Sequence, residues 1–290
     1  MTDIVSRIDT AFAEAGVTGW LHALDIDSGA QIGARADHRV PTASVHKLCC
    51  LVTLHELAAA GRLDLTEQIE CPPIDRTVGP TGLAAMLDPV RMSLRDVAYL
   101  MMAVSDNTAA DLVLRRIGLD AVNDTTTRLG LGRTHAAHTF GELFATIRED
   151  AGPGGAQALT DPHTVSRLRA LDPSRTNHST PRDMTRLLGA LWRDEACTPE
   201  HGAAMRRLLG LQVWPHRMAS GFPFDDVHVA GKTGSLPTLR HEVGVVEYPD
   251  GGRYAVAVFT RSADTAATLP AADAVIGTAA RIAVDVLRRG

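Results

Sequence analysis

Lysine is almost missing from this chain. Of 29 lysines plus arginines among 290 residues, only Lys47 and Lys232 are lysines. Arginine keeps its proton at any usable pH, whereas a buried lysine can release it. The two positions where lysine persists are therefore marked as chemically special before any motif is considered. Aromatic residues are also scarce, at 4% of the chain. The three tryptophans, Trp20, Trp192 and Trp214, are expected in the core rather than as platforms for a substrate.

Other absences exclude whole classes of function. No stretch of about 18 apolar residues is present to span a bilayer, so no membrane partner is expected. Asp3, Arg7, Asp9 and Glu14 interrupt the first residues, which read as an amphipathic helix and not as a signal peptide. A cytoplasmic location is the expectation. No Lys/Arg cluster exists to neutralise phosphates, and the net charge is -5, so nucleic acid is not an expected partner. Cys49, Cys50, Cys71 and Cys197 show no metal-ligand spacing and are expected to be free thiols. His135 and His138 are expected to be loop histidines. Neither metal nor cofactor is implied, and the expectation is a monomer acting on a small molecule.

What is present suffices for a large core, since 45% of residues are apolar. Helical spacing predicts a helix over 3–15, then strands over 18–26 and 30–34. Helices are predicted over 44–60, from the Ser93 cap to Val104, over 108–117, 119–129, 181–194, 199–209 and 269–288. Three β-runs, 226–234, 240–247 and 253–260, precede the last helix. Residues 130–180, rich in Gly, Pro, His and Thr, are read as mostly irregular, with a weak helix near 162–171. Strands at the start must pair with strands at the end, because no others are available to satisfy their backbone groups. The fold class is α+β: an antiparallel sheet flanked by helices with a helical lobe inserted. The sheet-bearing lobe comprises 1–43 plus 210–290, the helical lobe 44–209, and a cleft is expected at their boundary.

Three motifs carry chemistry. Ser44-Val45-His46-Lys47 places a hydroxyl and an amine three residues apart, one helical turn. A deprotonated lysine beside a serine supplies the base that an otherwise poor nucleophile needs. Taken alone, S-x-x-K has about one chance match in a chain of this size, and a capping serine with a surface lysine explains it equally well. Ser105-Asp106-Asn107 offers a proton relay and an amide, or else only a helix cap. Lys232-Thr233-Gly234-Ser235 offers an anion site on a strand, with Gly234 admitting a close approach. The bland alternative is an edge strand with a solvated lysine.

In this order and context, S-x-x-K, S-D-N and K-T-G form a recognised signature, and the chain resembles a class A β-lactamase. The likeness runs over nearly the whole chain, from Leu24–Gly29 in the first hairpin to Ser179–Met184 at the end of the Ω-loop-like region 130–180. It implies an α/β/α sandwich of the β-lactamase/transpeptidase type. It also implies Ser44 as acylated nucleophile, Lys47 as acylation base and Ser105 as proton relay, with Asn107, Lys232, Thr233, Gly234 and Ser235 binding substrate. The backbone N–H groups of Ser44 and Ser235 would form the oxyanion hole. Arg240 falls near the place of a carboxylate-binding arginine, about two residues early. Val213–Arg217 is a further candidate for the rim of the cleft. The positive charge of Lys232 is expected to help Lys47 stay neutral.

The resemblance breaks at one point. The family's E-x-x-L-N segment, whose glutamate activates the deacylating water, is missing. Glu142, in Gly141-Glu142-Leu143-Phe144, is the candidate substitute, the alternative being an ordinary loop glutamate. Three readings follow: a hydrolase of β-lactams or related cyclic amides or esters, a cytoplasmic acyltransferase or esterase of secondary metabolism, and a β-lactam binder that acylates and stops.

Overall fold

A computed structural model describes residues 2–290. Its centre is a five-stranded antiparallel sheet in the order Gln31–Ala34, Val17–Asp25, Arg253–Ser262, Leu239–Glu247, His228–Leu236. The first long strand is zipped to the last along its whole length, Val17 opposite Ser262 and Asp25 opposite Tyr254. The two ends of the chain thus build one sheet. Leu239–Glu247 is buried at every position but the last, as expected of a strand covered on both faces.

Helices cover both faces. Thr2–Glu14 and Pro270–Leu287 pack on one side through Ile8, Phe12, Val275, Ile276, Ala279 and Ala283. On the other, Val243, Val245, Ala257 and Phe259 share a single core with Leu48 and Leu51 of the Lys47–Ala59 helix and Leu187, Leu188 and Leu191 of the Pro181–Trp192 helix. The helical insertion is therefore not a separate body. The Lys47–Ala59 helix is buried continuously from Lys47 to His55, so it is a central strut rather than an amphipathic surface helix.

Two local expectations are revised. The segment before Lys47 is a 3₁₀ turn, Ala43–His46, and the α-helix begins only at Lys47. Residues 130–180 are also more regular than their composition suggests, because Phe140–Ala151 is a helix of three turns. Its signal was present: Thr139 and Glu142 form a capping box, and Phe140, Leu143, Phe144, Ile147 and Ala151 follow helical spacing. All four cysteines are free. Among the described residues no helix is long and apolar enough to cross a membrane, and no group of three or more His, Cys, Asp or Glu is arranged to hold a metal ion.

Candidate active site

The three motifs meet at one cleft of about 290 Å³, lined by Ser44, Ser105, Asn107, Thr233, Gly234 and Ser235 together with Pro80, Thr81, Val104, Phe144, Trp214, His216 and Arg217. Each arrives by a local rule. Asp106 caps the Asn107–Ile117 helix, accepting the N–H groups of Thr108 and Ala109 at 2.9 and 3.2 Å. This fixes Ser105 just outside the helix and Asn107 at its first position. Ser105 itself is held at φ 59°, and Ala43, just before Ser44, at φ 48°. Both are costly for residues with a Cβ, and such strain persists where the surroundings enforce it. Gly234 brings its strand against the Ser44 turn: a Cβ there would stand 2.8 Å from the carbonyl oxygen of Thr42 and 3.1 Å from the nitrogen of Val45.

Lys47 and Lys232 lie beneath the cleft, both fully buried, and converge on Ser105. Lys47 Nζ donates to the Ser105 carbonyl at 2.7 Å, to Asn107 Oδ1 at 2.8 Å and, at 3.4 Å, to Ser105 Oγ. Lys232 Nζ donates to Ser105 Oγ at 2.9 Å and to the Thr233 carbonyl at 2.9 Å. With two amines donating to its oxygen, Ser105 has its own hydroxyl proton free for the cleft. Asn107 gives one amide proton to the Val78 carbonyl at 2.8 Å and keeps a second. Burial pulls Lys47 down to about 7, against the opposing fields of Asp106 and Asp111. Burial, and then the charge of Lys47, holds Lys232 well below the ordinary lysine value. Desolvation thus leads where the charge of the second lysine was expected to. Ser44 is partly exposed and lines the cleft. The hydrogen bonds of Lys47 run to Ser105 and Asn107.

Two sequence-predicted positions fall elsewhere. Arg240 pairs with Ser235 across the sheet, but its guanidinium is spent on the carbonyls of Leu236, Leu239 and Ala267. It does not line the cleft. The arginine that does is Arg217, whose Nη2 donates to Ser235 Oγ at 2.7 Å while Nε is held by Asp273 at 2.6 Å. Glu142 is exposed, and its carboxylate accepts the N–H and hydroxyl of Thr139 at 2.8 and 2.9 Å. Those bonds hold its carboxyl below the usual range. It caps a helix and does not line the cleft. Trp20 and Trp192 are buried as expected, whereas Trp214 lines the cleft.

The Phe140 ring lies against Lys47, its centroid 4.6 Å from Nζ, and Phe144 lines the cleft. Among the described residues no aspartate or glutamate lines it.

Comparison with known proteins agrees with this fold. The sequence profile of the beta-lactamase enzyme family matches residues 3–287. A beta-lactamase regulatory protein, BlaB of Streptomyces cacaoi, is 34% identical over 98% of this chain and 97% of its own. A beta-lactamase of Streptomyces albus G is 24% identical, covering 99% of this chain and 85% of that protein. The crystal structure of a beta-lactamase from Sphaerobacter thermophilus superposes with a TM-score of 0.80 at 27% identity, over 98% of each chain.

Proposed function

The chain belongs to the beta-lactamase enzyme family, and within it we propose a β-lactam-recognising protein that is acylated on Ser44 and holds the acyl group. Ser44 Oγ bonds to the carbonyl carbon of a β-lactam or of a related cyclic amide. The ring C–N bond breaks. The serine proton passes to neutral Lys47, and Ser105 gives its hydroxyl proton to the leaving nitrogen and is reprotonated from the lysines that donate to it. The backbone N–H groups of Ser44 and Ser235 receive the developing oxyanion. Lys232, Thr233, Ser235 and Arg217 accept the substrate's carboxylate, and the remaining Asn107 amide proton takes its side-chain carbonyl.

One observation carries the second half of the reading. Ser44, Ser105, Asn107 and Thr233 line the cleft over Lys47 and Lys232, yet among the described residues no aspartate or glutamate lines it and the ring against Lys47 is that of Phe140. Fast hydrolysis of an acyl-enzyme needs a base positioned on water. The relative from Streptomyces cacaoi, described as a regulatory protein, supports a role as a sensor over one as a degrading enzyme.

Incubation with a chromogenic cephalosporin, followed by intact-protein mass, tests this. The expected result is a single burst of about one equivalent and a lasting adduct on Ser44. Sustained turnover would return the protein to the hydrolases. Ser44→Ala is expected to take no label, and a labelled Ser44→Ala protein would refute the nucleophile.

A further inference from the structure

Beside the strand bearing Lys232 and Thr233 lies a carboxylate that the acylation chemistry does not use. Glu242 is 1% exposed and stands opposite Thr233 in the sheet register. Its two oxygens take different donors. Oε1 accepts Gln212 Nε2 at 2.8 Å, and Oε2 accepts the backbone N–H of Met218 at 2.7 Å. Gln212 completes a relay, since its Oε1 accepts the backbone N–H of Thr233 at 2.6 Å. Met218 directly follows Arg217, whose guanidinium reaches Ser235 Oγ. Gly231 leaves the space, for a Cβ at that position would stand 3.2 Å from Glu242 Oε1.

One carboxylate therefore ties together both walls of the cationic end of the cleft: the Thr233 strand through Gln212, and the Arg217 turn through the Met218 N–H. A buried carboxylate is costly unless it is fully hydrogen-bonded and faced by cations. Burial raises the Glu242 carboxyl to about 7, opposed by the Met218 N–H, the charge of Arg217, the Gln212 amide and the charge of Lys232. An apolar residue would fill the same space at less cost, so the fold alone does not call for a glutamate.

We infer that Glu242 is a positioning residue for recognition of the substrate's carboxylate, acting through Gln212 on Thr233 and through Met218 on Arg217. This rests on the reading of the cleft as a site for a carboxylate-bearing β-lactam. A carboxylate accepts on both oxygens, whereas an amide accepts on one and donates from the other end. Glu242→Gln must therefore release either the Gln212 arm or the Met218 arm.

The test uses the full chain in a Ser44→Ala background, where binding is non-covalent, and compares benzylpenicillin with its methyl ester by titration. The parent is expected to prefer the acid. Adding Glu242→Gln should cut that preference about tenfold, the scale of a lost charge-assisted bond, and leave ester affinity unchanged. Glu242→Asp should restore part of it. Gln212→Leu, at a half-buried position, breaks only the strand arm and should act in the same direction even if Glu242→Gln does not fold. Equal weakening of acid and ester, an unchanged preference in both variants, or no preference in the parent would overturn the inference. Ser44 labelling of the wild-type protein is read separately, so failure of the acylation reading is distinguishable from failure of this one.

Discussion

On one flank of the cleft stand Lys47, Ser105, Asn107 and Lys232, whose polar atoms satisfy one another within 2.7–3.4 Å. On the other stand Phe140 and Phe144, and directly before Lys47 in the chain is His46, fully buried with neither ring nitrogen partnered among the described residues. Under the proposed function, the first flank supplies the groups that form an ester on Ser44, and the second supplies none that would activate water against it. Making and breaking an acyl-enzyme are thus separate structural demands, and a fold can keep the first while surrendering the second.

The largest effect should come from moving the second flank toward the first. Phe140→Glu would set a carboxylate against Lys47, and deacylation is expected to accelerate by roughly 10²–10⁴, the usual worth of a positioned base. Decay of the acyl-protein by intact mass measures it. An unchanged lifetime in a variant with a native melt would break the comparison, because it would show that something other than a missing base retains the acyl group.

The first flank is tested by pH. Lys47 must be neutral to accept the serine proton, and its pKa is lowered to about 7. Adduct formation should therefore rise with pH through about 7 and fall about tenfold per pH unit below it. A flat profile between pH 5 and 8, read by stopped-flow burst kinetics, would remove Lys47 as the base.

A smaller effect concerns stability. A buried polar side chain without partners costs about 1–3 kcal/mol, so His46→Phe should raise the melting temperature by a few degrees. Burial, with smaller contributions from His138, His135 and His178, lowers the His46 pKa from 6.5 to about 3. Between those values the unfolded chain binds a proton that the folded one refuses. The contribution is therefore complete above pH 6.5 and is lost as pH falls toward 3, by about 1.4 kcal/mol per pH unit. Chemical denaturation across this window should show a shallower acid slope in His46→Phe. The smallest effect is expected from Glu142→Gln: about 1 kcal/mol or less from the weakened helix cap, and no change in acyl-enzyme lifetime. A shortened or lengthened lifetime would return Glu142 to the chemistry.

Much of this was readable from residue types at fixed spacing. Lysine scarcity singled out Lys47 and Lys232, and the structure buries both against the same serine. Asp106 is both the helix cap and the member of a functional motif, so the bland and the chemical readings of Ser105-Asp106-Asn107 hold together. The Phe140–Ala151 helix was hidden by the Gly, Pro and His around it, although its capping box and apolar spacing were in plain view. Trp214 lies on the cleft, within the Val213–Arg217 stretch read as a candidate rim, rather than in the core with the other two tryptophans, because a tryptophan's burial depends on what packs over it.

The sequence by itself determined the sheet-forming ends, the helical insertion and the order of the three motifs. These follow from periodicity and short-range geometry, in which neighbours along the chain are neighbours in space. Only the tertiary structure decided that Arg217 and not Arg240 faces Ser235, that Glu142 serves a cap, and that an aromatic ring lies beside Lys47. Each depends on where a side chain from one segment points relative to another segment far along the chain. That direction is set by packing between elements, which no local spacing encodes.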